Sequence, residues 1–246
     1  MRIAFLADIH ANLEALSACL ADARARSVDR YVYLGDIVGY GADPGACVDI
    51  VAQACEQGAL ALMGNHDQAV LRSEFKLNEI AAAAIDWTRT QLDATQKAFL
   101  ANLPITIAEG ARLYVHASAR TPETFPYVHG LREASDCLTA TQARLTVCGH
   151  VHDPALYHIA VTGKVMGFIP LAGTPIPLTA PRRWLAVMGA VGQPRDGNPA
   201  AAYGILDERG HEMTYLRVPY DIDSAAAKIR GAGLPELLWK RLSRGR

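Results

Sequence analysis

The sequence predicts an α/β protein built around one core, on three observations. Its 246 residues are half hydrophobic, enough to fill a single sizeable interior, so one domain over 1–246 is expected. Short apolar runs alternate with stretches whose apolar residues recur at helical spacing, the pattern of strands feeding helices. Five of those runs end in metal-capable side chains, commonly just past a glycine.

The first run, "RIAFLA" at 2–7, reads as a buried strand and leads into Asp8 and His10. Asn12 is a good N-cap for a helix in which Leu13, Leu16, Leu20 and Ala23 share a face, and it is also a candidate substrate contact. "RYVYLGD" at 30–36 is a second strand ending in Asp36, and Pro44 opens a second helix to about Gln57. "ALALMGNHD" at 59–67 reads as a third strand ending in Asn65, His66 and Asp67. The alanine-rich segment 73–103 reads as helices. It either packs on the sheet as a helical hairpin or caps the strand ends, with Asn78 at its start as a candidate substrate contact. "RLYVHA" at 112–117 ends in His116, and "RLTVCGHVH" at 144–152 ends in His150 and His152. His158 and His211 fall in amphipathic, strand-like segments and are not expected to be ligands. Near the end, Asp223 or Ser224 would cap a short helix stopped by Gly231 and Gly233. Pro235 would start another, whose basic last turn complements a helix C-terminus, and this region reads as packing.

Composition excludes several roles. The 24 Lys+Arg against 25 Asp+Glu leave a formal charge of -1, which disfavours tight binding to long nucleic acid, since that binding is built from many contacts to phosphate. The five cysteines are odd in number, lack CxxC spacing and mostly sit in apolar runs, as in a reducing cytoplasm. The apolar start is too short for a signal peptide and no uncharged apolar stretch is long enough for a membrane span, so a cytoplasmic protein is expected.

In α/β sheets, ligands collect beyond the carboxyl ends of strands. Convergence of the five strand ends would bring Asp8, His10, Asp36, Asn65, His116, His150 and His152 together, with His66 beside them. Each has an ordinary reading alone: Asp8 or Asp36 as a cap, "GNHD" as a tight turn, His116 as a satisfied polar group, and His150 with His152 as alternate side chains on one face of an extended segment. Those readings would have to coincide at one structural position five times. Mixed imidazole and carboxylate donors suit Mn, Fe, Zn, Co or Ni over Mg or Ca, and the set exceeds what one ion needs.

The blocks "DIH" (8–10), "GD" (35–36), "GNHD" (64–67), the His116 of "VHA", and "GHVH" (149–152) stand in the order of the calcineurin-like metallophosphoesterases, which this sequence resembles. Further stretches, "LGDIVGYGADP", "WTRTQL", "VGQPRDGNPAAAYGILD" and "VPYDIDSAAAKIRGAGLP", look like the bacterial and archaeal predicted-phosphodiesterase branch related to diadenosine tetraphosphatases. The resemblance implies a four-layer α/β/β/α sandwich holding two divalent transition-metal ions, with manganese foremost. It implies that Asp8, His10, Asp36 and His152 hold one ion, that Asp36, Asn65, His116 and His150 hold the other, and that Asp36 bridges. A hydroxide shared by the ions would attack phosphorus, and His66 would be the general acid or a donor to the phosphate.

The expected substrate is a phosphodiester or small phosphate ester, with a dinucleoside polyphosphate as the alternative. A nuclease would show steep salt dependence and a non-catalytic scaffold would have no reason to keep the donor set. Serine/threonine protein phosphatases of this superfamily carry GDxVDRG, where this chain has "GDIVGYG", placing Gly39 and Tyr40 at the later Asp and Arg. Val187 and Ala190 stand where the resemblance leads one to expect Asn and Ser, which would change the site if that loop lines it. Arg195 in "GQPRDG" is a candidate phosphate clamp, with a solvated turn residue as the alternative. Tyr40, Tyr127 and His129 are candidates to meet a planar substrate group.

Overall fold

The computed structural model describes residues 1–246 apart from 73, 75 and 76. The first half of the chain supplies β1 (Arg2–Leu6), α1 (Leu13–Ala25), β2 (Arg30–Tyr33), α2 (Pro44–Glu56), β3 (Leu60–Ala61), α3 (Asn65–Leu71), α4 (Glu79–Gln91) and α5 (Ala94–Ala101). A second run supplies β4 (Thr106–Glu109), β5 (Arg112–Val115), α6 (Leu131–Thr139), β6 (Leu145–Cys148), β7 (Ala155–Ile159), β8 (Val165–Phe168) and β9 (Pro175–Pro177). The chain closes with β10 (Arg183–Val187), β11 (Ala201–Asp207), β12 (Glu212–Val218), α7 (Ile222–Gly231) and α8 (Glu236–Arg244).

The strands form two six-stranded sheets, ordered β3-β2-β1-β11-β12-β9 and β4-β5-β6-β10-β7-β8. Their period-two alternation builds the layers. In β1, Ile3 and Phe5 enter the apolar layer between the sheets while Ala4 and Leu6 enter the layer under α1 and α2. In β10, Trp184 and Ala186 face the partner sheet while Leu185 and Val187 pack against Ala134, Cys137 and Leu138 of α6. Strands buried on both faces must be apolar throughout, which explains the unbroken runs seen in the sequence. The result is the expected α/β/β/α stack.

Strands β1, β2 and β3 run parallel, as do β5, β6 and β10, so each group presents its carboxyl ends together. A parallel bridge between Ala7 and Ala190 ties the end of β1 to the chain beyond β10, joining the two sheets beside Asp8. Val191 N–H donates to the Ala7 carbonyl and Gly192 N–H to the Asp8 carbonyl, both at 2.9 Å.

Several local expectations change. The third strand is only Leu60–Ala61, and Asn65, His66 and Asp67 open α3 instead of ending a strand. The Asp67 carboxylate explains the switch, since it accepts from Gly64 N–H at 2.9 Å and so holds the first turn. His150 and His152 do not lie on an extended segment: their φ angles are 69° and 64°. The cap of α7 is Asp221, which accepts from Ser224 N–H at 3.0 Å, not Asp223 or Ser224. His158 lies in β7 as read, whereas His211 sits in the turn joining β11 to β12. Val187 and Ala190 are fully buried, Val187 on the α6 side of its sheet and Ala190 in the bridge to Ala7, so both serve packing.

Of the segment 73–103, residues 73, 75 and 76 lie outside the described residues. Ile85 of α4 and Leu100 of α5 are buried in the helix layer over the first sheet. Ala81 and Ala84, beside Ile85 on the same helix, join Tyr40, Ile229, Leu238 and Leu242 in a separate apolar cluster with α7 and α8.

Candidate metal centre and active site

The loops after β1, β2, β5 and β6, with the start of α3, bring every expected donor into one cluster. Asp8, His10, Asp36, Asn65, His116, His150 and His152 are all at most 9 % exposed, and His66 is 4 % exposed, so these polar groups must be compensated from within.

The backbone fixes which imidazole nitrogen faces inward. His10 Nδ1 lies 3.2 Å from the Val38 carbonyl, His116 Nδ1 2.8 Å from that of Leu34, and His152 Nδ1 2.7 Å from that of Gln193. A carbonyl oxygen only accepts, so each Nδ1 carries a proton and each Nε2 is the nitrogen left to face the centre, with a lone pair there whenever the ring is neutral. His10 and His152 then face one another with their Nε2 atoms 3.1 Å apart. On the other side, His116 Nε2 lies 3.1 Å from both Asn65 Oδ1 and His150 Nδ1. Such contacts between ring nitrogens and oxygens repel unless a proton or a metal cation lies among them, and buried neutral rings leave that place to a metal. The donor set therefore fits bound metal.

The carboxylates are held by backbone donors and also face the centre. Asp36 Oδ1 accepts from His66 N–H at 2.8 Å, leaving Oδ2 3.7 Å from His10 Nε2 and 3.4 Å from His116 Nε2. Both Asp8 oxygens accept from His150 N–H, Oδ2 at 2.9 Å and Oδ1 at 3.2 Å, and Oδ1 also lies 3.5 Å from His152 Nε2. Two triads with ligand atoms within 4.8 Å of one another follow, Asp8 with His10 and His152, and Asp36 with His116 and His150. His10, Asp36 and His66 form a third such group. His66 differs from the carbonyl-fixed rings: its Nδ1 is buried without a hydrogen-bond partner and lies against Gly39.

This convergence strains the backbone. Asp8, His10, Ala11, Asp36, Tyr40, His150 and His152 all have φ between 48° and 69°. Each non-glycine residue held there costs on the order of 1–3 kcal/mol, a cost that surrounding packing offsets. Gly39 has φ 90°, and a Cβ there would stand 2.5 Å from His66 Nδ1. Asp67, absent from the expected donors, locks these loops: its Oδ1 accepts from Ile37 and Val38 N–H at 2.9 and 3.2 Å. Its position straight after "GNH" was the available signal. The Leu34, Val38 and Gln193 carbonyls carry no side-chain signal at all.

The outer candidates take different places. Asn12 is committed to the fold, its Oδ1 accepting from Ala15 N–H at 3.1 Å and its Nδ2 donating to the Gly192 carbonyl at 2.8 Å. The Tyr40 ring lies 4.6 Å from that of His10 and 4.4 Å from that of His66. Arg195 sits 5.8 Å over Tyr40 and donates to Gln193 Oε1 at 3.0 Å. On the other flank Tyr127, 47 % exposed, stacks on His150 at 4.0 Å, and His129 stacks on Tyr127 at 5.0 Å. Asn78 caps α4, accepting from Ala81 N–H at 3.0 Å, and borders a cavity beside Tyr40.

Burial and crowding set the protonation states. Burial holds His10 and His152 well below the usual imidazole range, lowers His66, and, with the nearby charge of His116, pushes His150 down to about 3. Neutral imidazole is the form a ligand needs. Burial also opposes charge on His116, but Asp36 and then Asp8 raise it to about 9. Burial alone would raise Asp36, yet His116, His66 and His10 hold it well below the carboxylate range. Asp8 is pushed up to about 7 by burial and Asp36, against the pull of His116. Asp67 is likewise pushed up to about 7, by burial and Asp36, against its backbone donors.

A pH prediction follows for protein stripped of metal by a chelator. Below the unfolded imidazole value of about 6.5, unfolding takes up protons at His10, His66, His150 and His152, so stability falls as pH falls. Asp8 and Asp67, raised above their unfolded value, act oppositely between about 4 and 7, but they are fewer. His116 contributes stability that is complete below about 6.5 and lost as pH rises through about 9. Urea melts of chelated protein should therefore show greatest stability near neutrality. Stability rising steadily from pH 7 to 9 would contradict this arrangement.

A family model described as the calcineurin-like phosphoesterase superfamily domain matches residues 1–210. An uncharacterised protein of Methanocaldococcus jannaschii is 37% identical over 255 residues, covering 99% of this chain and 98% of that protein. A metallophosphoesterase structure from Sphaerobacter thermophilus is 37% identical, with a TM-score of 0.89 over 100% of this chain and 99% of that one. A hypothetical protein structure from Pyrococcus horikoshii, 18% identical, shares the fold with a TM-score of 0.82 over 100% and 98% of the two chains. The matched residues carry the whole donor cluster, and this chain belongs to the calcineurin-like phosphoesterase superfamily, as a hydrolase of phosphate ester bonds.

Proposed function

We propose that the chain is a dinuclear metal-dependent phosphodiesterase acting on small phosphate esters. The observation that carries this reading is the pair of inward-facing triads with Asp36 Oδ2 turned toward both. Asp8, His10, Asp36 and His152 would hold one divalent ion, and Asp36, Asn65, His116 and His150 the other, with manganese foremost and iron, zinc, nickel or cobalt compatible with the same donors. Bound there, two such ions would polarise a phosphoryl group and lower the pKa of a water toward neutrality.

The side chains divide the remaining work. Val38, Leu34 and Gln193 carbonyls orient His10, His116 and His152, so that the donors need little reorganisation. His66 stands beside His10 and Asp36 and would give a proton to the departing oxygen. Arg195 would grip a phosphate oxygen, since a guanidinium offers parallel donors. Among the described residues no helix is long and apolar enough to cross a membrane. All five cysteines are free, which fits a reducing compartment such as the cytoplasm.

Hydrolysis of bis(p-nitrophenyl) phosphate by chelated protein, before and after manganese is restored, tests the reading, together with metal analysis. No bound metal and no metal-stimulated hydrolysis would leave a scaffold. The two histidines of "GHVH" give a sharper check. His152→Ala and His150→Ala should each lower metal content by about one ion per chain, from different halves of the site, as separated by their distinct metal-binding isotherms. Retention of both ions in either variant would undo the assignment. A dinucleoside polyphosphate is the second reading, favoured by Tyr127, whose half-exposed ring stacks on His150 and could receive a base.

A further inference from the structure

We infer that Arg241 of α8, together with Arg195 and Tyr40, forms a subsite for a second phosphate, so that the preferred substrate carries a polyphosphate or other second anionic group beyond the one being cleaved. The inference rests on the phosphodiesterase reading for the reaction, but not for the binding.

Tyr40, Asn78, Glu79, Ile80 and Arg241 line a cavity of about 340 Å³. Tyr40 is its link to the metal centre, because the same ring lies 4.6 Å from His10, 4.4 Å from His66 and 5.8 Å from the Arg195 guanidinium. Among the described residues neither arginine has a carboxylate partner, whereas nearby Arg217 pairs with Asp196. Arg195 Nε is buried and makes no hydrogen bond. Glu79 borders the same cavity, and among the described residues no ion pair joins it to Arg241. Arg241 lines the cavity and Arg195 stands over the Tyr40 ring that borders it, so two guanidinium groups flank that ring. Burial and then the like charge of Arg195 lower the Arg241 pKa, with Tyr40 opposing in part.

The arrangement is built into the fold. Leu238 and Leu242 anchor α8 in the cluster that contains Tyr40 and the Ala81 face of α4. The end of α8 is pinned to the loop that carries Arg195: Gly197 N–H donates to the Gly245 carbonyl at 2.8 Å. Gly245 has φ 61°, and a Cβ there would meet the Asn198 backbone at 2.6 Å. This docking holds the helix that carries Arg241 against the loop that carries Arg195. The family model ends at residue 210, so the second arginine comes from outside the matched segment. Guanidinium groups recognise phosphate through paired donors, and a buried Nε without a partner is an open donor for one.

Calorimetry on chelated protein with inorganic tripolyphosphate and with orthophosphate tests the subsite without catalysis. Arg241→Ala should weaken tripolyphosphate about tenfold or more and orthophosphate much less, Arg241→Lys should recover part of the loss, and Glu79→Gln should tighten tripolyphosphate. Unchanged tripolyphosphate affinity in Arg241→Ala, or equal weakening of both anions, would overturn the subsite. With manganese restored, Arg241→Ala should lower the kcat/KM ratio of diadenosine tetraphosphate to bis(p-nitrophenyl) phosphate about tenfold, and an unchanged ratio would overturn the substrate class. Arginine-dependent tripolyphosphate binding in a protein that hydrolyses neither ester would uphold the subsite and reject the phosphodiesterase reading alone.

Discussion

Replacing Asp36 with asparagine should lower phosphoesterase activity by roughly a thousandfold or more, about 4 kcal/mol of barrier, and remove metal from both halves of the site. Asp36 is the residue whose free oxygen faces both His10 and His116, while its other oxygen is held by His66 N–H. Asparagine keeps the size and one accepting oxygen, so His66 N–H stays satisfied, but the charge shared between the halves is gone. His10, His66 and His116 would also lose the carboxylate that favours their protonated forms. Metal analysis after dialysis should show less than one ion per chain. The chelated variant should unfold at lower urea concentration than chelated wild type, because the buried Asp36 anion is favoured by His116, His66 and His10 and its removal leaves those rings without their partner. Loss of one ion with full retention of the other would mean that Asp36 does not bridge.

The donor loops were legible because their signal is chemical. Aspartate, histidine and asparagine after an apolar run are visible whatever the strand pairing, and the two sheets then deliver Asp8, Asp36 and His116 to one place. Pairing itself was not legible. β1 lies between β2 and β11, whose registers join Phe5 to Val32 and to Gly204, and strands apolar on both faces carry no pattern that selects a distant neighbour. Local boundaries shifted where two signals competed. "GNHD" follows an apolar run and so reads as a strand end, but Asp67 accepting from Gly64 N–H makes it a helix start. In "YDIDS", three residues could cap α7, and only the geometry of the incoming chain selects Asp221.

The backbone at "GHVH" was illegible for a different reason. Nothing in His150 or His152 favours a left-handed conformation as strongly as glycine would, and both are held there by contacts from elsewhere. His150 N–H is fixed by Asp8 and His152 Nδ1 by the Gln193 carbonyl, residues distant in sequence. The two rings still reach different halves of the cluster, but through twisted backbone instead of the alternation of an extended strand. Arg241 was hidden more completely, since on sequence grounds a basic residue in the last turn of a helix only complements its dipole.

Replacing His66 with alanine should lower kcat on an alkyl phosphodiester by about 10²–10⁴-fold while leaving the metal content intact. On bis(p-nitrophenyl) phosphate the loss should be below about tenfold, because a nitrophenolate leaves without a proton. The contrast follows from where His66 stands. It touches His10 and Tyr40, at 4.9 and 4.4 Å between ring centroids, yet no carbonyl fixes its Nδ1 as one fixes those of His10, His116 and His152. Burial lowers its pKa, with Asp36 only partly opposing, so the charged form is scarce near neutrality and ready to give up its proton. Activity on the alkyl ester should therefore already decline as pH rises toward neutrality, below the usual imidazole range, while the nitrophenyl ester shows a weaker decline. A carboxylate behind the ring would reverse this by holding the proton. Position 39 cannot supply one, since a Cβ there would stand 2.5 Å from Nδ1. Gly39→Asp should accordingly displace His66 and lower alkyl-ester activity as His66→Ala does. Equal losses on both esters in His66→Ala, accompanied by loss of metal, would instead make His66 a ligand.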